Sequence, residues 1–104
     1  MEQMDQREAH EAIRRLLAVA FRDSGQSRRV ADFLLAWHNA GENGGWDPVD
    51  MWGVDAVIAD DMLLVLRLIR TSHHYPGDIG FRQEIETVWK LWRSGRRVSA
   101  GDDR

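Results

Sequence analysis

The stretch DAVIADDMLLVLRLIRTS, residues 55–72, decides the fold, because it carries the most continuous apolar helix pattern in the chain. Its main stripe follows three- and four-residue spacing, and further apolar side chains flank the stripe on both sides. The stripe is Val54, Ile58, Met62, Val65 and Ile69, and the flanking residues are Val57, Leu63, Leu64, Leu66 and Leu68. A helix that is apolar on most sides is typical of the centre of a domain, so we expect this third helix to be central.

Three amphipathic patterns around this stretch predict further helices over residues 5–22, 28–40 and 79–93. Each pattern has one apolar stripe and a polar opposite face, as in helices that pack on a shared core. The stripes are Ala9, Ile13, Leu16, Leu17 and Ala20 in the first helix, Val30, Phe33, Leu34 and Trp37 in the second, and Phe81, Ile85, Val88, Trp89 and Trp92 in the fourth. The tryptophans in these stripes are therefore predicted to be core residues.

The segments between the helices contain recognisable caps and breaks. Ser24 or Ser27 can cap the second helix, because a serine hydroxyl accepts from the free amides of a first turn. Gly41 is placed to end the same helix, which leaves GENGG at 41–45 as a predicted loop. SHHYPGD at 72–78 is also predicted to be a loop, because it contains a Pro-Gly pair.

WDPVDM, which begins at Trp46, has the features of a helix start. Asp47 can cap the helix, and Pro48 suits the first helical position. Trp46 before the cap and Met51 inside the helix are spaced for a hydrophobic staple. A glycine follows closely, so this helix is predicted to be short, near residues 47–52.

No segment alternates apolar and polar residues as a β-strand does. The sequence therefore predicts an all-α protein, a compact bundle of four main helices plus one short helix near residues 47–52. Its 104 residues amount to one domain. We expect a single all-helical domain over residues 1–95 and a flexible tail over residues 96–104.

The composition excludes several classes of protein. The chain has no cysteine, so disulfides, thiolate metal sites and cysteine nucleophiles are ruled out. Its 14 basic and 17 acidic residues give a net charge of −3, which is unlike a protein that binds nucleic acid over its whole surface. The longest apolar run extends only from Met62 to Leu66, and the polar first residues do not form a signal peptide. We therefore expect a cytoplasmic protein without a membrane partner.

Acidic residues are concentrated in the middle of the chain. Residues 41–61 contain six acids and no lysine or arginine. Two tryptophans lie in this segment, and tryptophan is a frequent anchor in protein interfaces. The predicted partner-binding residues are Trp46, Asp47, Asp50, Trp52 and Asp55, which would form an aromatic patch among carboxylates that suits a basic protein. Trp46 has the alternative role of a local staple, whereas the sequence indicates no other role for Trp52.

No pattern in the sequence indicates catalysis or a cofactor. Asp60 and Asp61 are adjacent on a helix and point about 100° apart, so they do not form a facing pair. No metal-binding, phosphate-loop or nucleophile motif occurs. An enzyme centred on His38, His73 or His74 would require these imidazoles to converge beside a carboxylate. We therefore predict a protein that is not an enzyme and has no cofactor and no metal site.

A DNA-binding regulatory protein is the alternative function. DSGQS at 23–27 could be the turn of a helix-turn-helix, which would place Arg28 and Arg29 at the start of a recognition helix. The acidic segment that follows argues against nucleic acid as a partner. Homodimerisation is a further hypothesis, because the third helix has apolar surface to cover and the fourth carries two tryptophans.

Three segments resemble a family of small uncharacterised proteobacterial proteins that are often encoded on plasmids and integrative conjugative elements. The segments are GQSRRVADFLLAWHNA at 25–40, GGWDPVDMWGVDAVIADDM at 44–62 and SHHYPGDIGF at 72–81. The resemblance implies a bacterial, mobile-element context but no activity and no site residues. We predict a small non-catalytic protein–protein interaction module, for example a mobile-element accessory or inhibitor protein, that acts through its acidic, tryptophan-containing surface.

Overall fold

The computed structural model describes the backbone of residues 2–94 and the side chains of residues 6–94. Over this range the protein is all-α, so the predicted fold class is confirmed. The elements are α1 (Glu2–Ala20), α2 (Gly25–Asn43), a first 3₁₀ helix (Pro48–Gly53), α3 (Ala56–Ser72), a second 3₁₀ helix (Pro76–Ile79) and α4 (Arg82–Arg93). The tail predicted over residues 96–104 lies outside the described residues. In the described part of the chain, no helix combines the length and the apolar character needed to cross a membrane.

The core forms where α1 and α2 pack together and α3 and α4 close over them. The stripes predicted for the first two helices are buried throughout, namely Ala9, Ile13, Leu16, Leu17, Ala20, Val30, Phe33, Leu34 and Trp37. Trp37 donates its indole N–H to the carbonyl of His74 at 3.0 Å, and Trp92 donates to the carbonyl of Ala20 at 2.8 Å. Both indoles therefore have the partner that burial of an N–H group requires.

α3 is not central, contrary to the expectation from its sequence. It packs chiefly against α1, whereas α2 contacts α1, α4 and both 3₁₀ helices. Ile58, Met62 and Val65 are buried against α1, but Val57 and Leu63 are 70% and 54% exposed. A single neighbouring helix covers only one face, so apolar residues on the other faces of α3 remain in solvent.

α2 continues past Gly41, so the prediction that this glycine ends the helix is wrong. The helix is kinked at Asn39, whose backbone (φ −167°, ψ 87°) is not helical. The side chain of Asn39 accepts from the N–H of Glu42 at 3.2 Å. The amide of Asn43 donates to the carbonyl of Leu35 at 3.1 Å. These two asparagines satisfy backbone groups around the kink, and the chain therefore remains helical for one more turn.

Gly44 is the residue that ends α2. Its φ of 91° lies in the region that favours glycine, and its N–H donates to the carbonyl of Ala40 at 2.9 Å. At the other end of the helix Ser24 is the cap, because its Oγ accepts from the N–H of Ser27 at 3.1 Å. The serine cap is thus confirmed, although the helix begins at Gly25 rather than at residue 28.

The last helix differs from its prediction in two respects. It begins at Arg82 rather than at Ile79, because Pro76–Ile79 forms the second 3₁₀ helix inside the predicted loop. Trp89 is 42% exposed and is not a core residue. Ile85 and Val88 occupy the buried face instead, and Trp89 lies beside that face.

Candidate protein-binding surface

The segment predicted to bind a partner folds as the first 3₁₀ helix and its flanks. Asp47 caps this helix, since its Oδ1 accepts from the N–H of Val49 at 3.1 Å and its carbonyl accepts from the N–H of Asp50 at 2.8 Å. Pro48 occupies the first helical position, where its missing N–H costs nothing. The predicted cap is therefore confirmed.

Trp46 points inward and attaches the start of this segment to the core. Its ring packs edge-to-face on Phe33, with 4.9 Å between centroids and 70° between planes. Met51 and Val54 pack against the same core. The indole Nε1 of Trp46 is buried without a hydrogen-bond partner, so the aromatic and apolar contacts have to outweigh the cost of its desolvation. Trp46 thus acts mainly as an anchor for the segment.

Two side chains of α2 hold the far end of the segment. Arg29 forms an ion pair with Asp50 at 3.6 Å, and its guanidinium lies directly against Gly53. A Cβ at Gly53 would be 2.5 Å from Nε of Arg29, so a larger residue there would displace the end of the Arg29 side chain. Gln26 accepts from the backbone N–H of Asp55 at 2.6 Å, and its amide lies 3.5 Å from the carboxylate of Asp55. The first 3₁₀ helix is therefore fixed to α2 on both sides.

A buried charge cluster anchors α4 to α2 near this segment. Asp32 is only 4% exposed and accepts from Nη2 of Arg93 at 2.6 Å. Arg28 lies 3.7 Å from the same carboxylate, and Arg93 also donates to the carbonyl of Asn43 at 3.1 Å.

The carboxyl group of Asp50 is affected by this cluster. Burial, reinforced by the nearby charge of Asp32, raises the pKa of Asp50, while Arg29 opposes this shift.

What the segment presents to solvent is an indole among acids. Trp52 is 85% exposed and Val49 is 44% exposed. Asp47 and Asp55 are exposed on either side of them in sequence. We refer to Asp47, Val49, Trp52 and Asp55 as the Trp52 surface. Asp55 also lines a groove of about 660 Å³ between α1 and α3, to which Val57 contributes an exposed apolar side chain.

The fold exposes only some of the predicted partner-binding residues to solvent. Trp52, Asp47 and Asp55 are exposed, whereas Trp46 faces the core and Asp50 is partly buried in its pair with Arg29. Val49 is an exposed neighbour that the sequence did not single out, although its place between Pro48 and Asp50 on a short capped helix made exposure plausible. Nothing in the sequence indicated the roles of Gln26 and Gly53, because their contacts depend on how α2 passes the segment.

The arginines of the DNA-binding alternative are both in ion pairs. Arg28 lies 3.7 Å from Asp32, and Arg29 lies 3.6 Å from Asp50. A phosphate would have to compete with these carboxylates, so their placement adds no support for a nucleic-acid interface.

The three histidines of the enzymatic alternative have different surroundings. His38 lines grooves between α2 and α4 with Glu86, His73 is the left-handed cap of α3, and His74 offers its carbonyl to Trp37. Among the described residues there is no group of three or more histidine or acidic side chains that could hold a metal ion.

The fold and this surface define a small all-α protein that presents one exposed tryptophan on an anchored 3₁₀ helix. The chain belongs to DUF7673, a family of unknown function, which matches residues 10–93. The match includes the whole Trp52 surface. No curated protein and no solved structure matches the chain. The predicted resemblance to an uncharacterised family is confirmed to this extent.

Proposed function

We propose that this protein is a non-catalytic interaction module and that the Trp52 surface docks a basic partner protein. The observation that carries the proposal is the 85% exposure of Trp52 on a segment that is fixed at both ends. An exposed indole in water forgoes the apolar burial that stabilises a fold, and burial against a partner would recover it. Val49, which is also exposed, adds apolar area close by in the same segment.

The anchoring contacts favour binding because they prepare the surface in advance. Phe33 holds Trp46, Arg29 holds Asp50 and Gln26 holds Asp55. A surface that is already ordered loses little conformational entropy when a partner docks. An indole in such a setting has the features of an interface hot spot.

The charge of the surface indicates the chemistry of the partner. Asp47 and Asp55 are exposed, and residues 41–61 contain no lysine or arginine. Arg29, which lies beside the segment, is engaged with Asp50. An arginine or lysine of the partner can therefore lie on the indole face of Trp52 and pair with a neighbouring carboxylate.

A cytoplasmic location and a mobile-element context are part of the proposal. Both rest on the sequence, the second through the resemblance of residues 25–40, 44–62 and 72–81. In that context an accessory or inhibitor protein could cover a basic groove of its target with the acidic Trp52 surface.

The test is affinity capture from the native host with the wild-type chain and three variants. Trp52→Ala should lose the partner, and Asp47→Asn combined with Asp55→Asn should weaken its retention, most clearly at low salt. Trp89→Ala is the matched control, because it removes an exposed tryptophan from α4 and leaves the Trp52 surface intact. If the same proteins were retained by Trp52→Ala, the proposal would be wrong.

A further inference from the structure

A groove between α2 and α4 forms a second candidate site, made of different residues from the Trp52 surface. Its volume is about 330 Å³, and it is lined from α4 by Ile85, which is buried, and by Trp89, which is 42% exposed. α2 reaches this groove because it continues for one turn beyond its kink, which brings Glu42 and Asn43 into the lining. The groove therefore has an apolar wall on α4 and polar residues on α2.

The polar groups of this groove are mainly hydrogen-bond acceptors. Asn43 is 8% exposed, and its amide N–H donates to the carbonyl of Leu35. The Oδ1 atom of the same amide accepts from no described residue and is not enclosed, so it faces the groove that Asn43 lines. Glu42 on α2 and Glu86 on α4 are exposed, and neither carboxylate has a hydrogen bond or an ion pair among the described residues. The groove thus offers three acceptors, two of them charged, to a ligand that donates hydrogen bonds.

A lysine and a histidine line the same groove. Lys90 is exposed, and within the described part of the chain it pairs with neither Glu42 nor Glu86. The two carboxylates are therefore available to a cation from solution, with which Lys90 would compete. His38 also lines the groove, and a neutral imidazole can accept a further hydrogen bond through one ring nitrogen.

We propose that this groove binds a small primary alkylamine in its ammonium form. An ammonium group has three N–H donors, which matches the carboxylates of Glu42 and Glu86 together with the amide oxygen of Asn43. An indole attracts such a cation through its π face, so Trp89 adds to the attraction of the charges. The alkyl stem packs on the apolar wall of α4. The Trp52 surface takes no part, so this site and the docking of a protein partner are tested separately.

The experiment is a titration of the isotope-labelled full chain with n-butylamine, followed by NMR at low salt and about pH 8. The indole N–H of Trp89 and the side-chain amide of Asn43 should shift and saturate, with a dissociation constant on the order of 1 mM. The indole N–H of Trp52 should not move. n-Butanol has the same alkyl stem without the charge, and Mg²⁺ has charge without the stem, so neither should reproduce these shifts.

Single substitutions separate recognition in the groove from general attraction to an acidic protein. Glu42→Gln and Glu86→Gln should each weaken the binding of n-butylamine about three- to tenfold, and Trp89→Ala should weaken it about fivefold. Lys90→Ala removes the competing cation and should strengthen binding about twofold. Glu8→Gln is the matched control, because it neutralises an exposed carboxylate on α1, and it should remain within about twofold of wild type.

Three results would each overturn the proposal. The first is that n-butylamine shifts neither the Trp89 nor the Asn43 resonance up to roughly 20 mM, well above the expected dissociation constant. The second is that n-butanol or Mg²⁺ produces the same saturable shifts. The third is that Glu8→Gln weakens binding as much as Glu42→Gln does.

Discussion

Replacing Gly53 by alanine is predicted to displace Arg29 and loosen the first 3₁₀ helix. The new Cβ would lie 2.5 Å from Nε, 2.6 Å from Cζ and 3.0 Å from Cδ of Arg29. These distances are too short for non-bonded contacts, so the guanidinium has to move away. It then loses its ion pair with Asp50, which is 3.6 Å long in the native structure.

The expected cost is about 1 kcal/mol and results from two opposing contributions. The Arg29 and Asp50 side chains are 32% and 23% exposed, so their pair is intermediate between an exposed and a buried one, and we take its loss as ~2 kcal/mol. Gly53 is not among the described residues with positive φ, so alanine is sterically acceptable to the backbone. Alanine also restricts the unfolded chain, which offsets roughly 0.4–1 kcal/mol of the loss.

Urea denaturation followed by circular dichroism measures this cost, with Gly45→Ala as the matched control. A Cβ at Gly45 meets nothing within 4 Å, so the control should be as stable as wild type or slightly more stable. In an Arg29→Ala background the obstructing side chain is gone, and Gly53→Ala should no longer destabilise the protein. The reasoning would be refuted if Gly53→Ala matched the control, or if its cost were the same in the Arg29→Ala background.

Three further substitutions test other parts of the structure. Arg93→Ala should lower the free energy of unfolding, measured by urea denaturation, by about 2 kcal/mol, because it removes an arginine that pairs with the buried carboxylate of Asp32. Lys90→Ala on the same helix is the control and should cost less than about 0.5 kcal/mol. Burial raises the pKa of Asp50 above its ordinary value of 3.8, so the folded protein holds this proton more tightly than the unfolded chain does. The free energy of unfolding of wild type, relative to that of Asp50→Asn, should therefore fall as the pH rises from 3.8 through the raised pKa of the folded protein. Urea denaturation repeated across this pH range measures the difference. His73 has a φ of 58°, so His73→Gly should gain ~0.5–1 kcal/mol and raise the thermal midpoint.

Each of these expectations has a clear contrary result. Equal losses in Arg93→Ala and Lys90→Ala would show that the ion pair with Asp32 does not anchor α4. A stability difference between wild type and Asp50→Asn that is constant with pH, or that grows with pH, would contradict the direction of the Asp50 shift. A lower thermal midpoint for His73→Gly would mean that the imidazole makes a contact that outweighs its backbone strain.

The sequence predicted local features well because their causes are local. The Ser24 and Asp47 caps each depend on a hydrogen bond to a residue two or three positions away. The stripes of α1 and α2 depend only on helical spacing. The kink at Asn39 was missed because it is stabilised by side-chain bonds that no spacing rule indicates, and Gly41 was mistaken for the cap that Gly44 provides.

Features that depend on how the helices pack together could not be predicted from the sequence. α3 was expected at the centre because of its composition, but its position is decided by which helices the connections bring against it, and only α1 covers it closely. The ion pair between Arg93 and Asp32 joins residues 61 positions apart, so neither residue stood out alone. Arg29 was considered for phosphate contacts, yet its contact with Gly53 gives it a structural role at the Trp52 surface.

The sequence left open whether Trp52 is exposed. Of the two tryptophans in the acidic segment, Trp46 contacts Phe33 and faces the core, whereas Trp52 is 85% exposed. Their separation follows from the short 3₁₀ helix, which buries its first flank and turns its far end outward. A role for Trp52 in binding therefore stands on its placement as well as on its residue type.

The most direct test is calorimetric titration of the captured partner, once purified, with wild type, Trp52→Ala and Trp89→Ala. A hot-spot indole contributes about 2 kcal/mol or more, so Trp52→Ala should weaken the affinity at least about thirtyfold. Trp89→Ala should remain within about threefold of wild type, because α4 lies outside the Trp52 surface. Equal affinities for wild type and Trp52→Ala would contradict the assignment of this surface as the binding site.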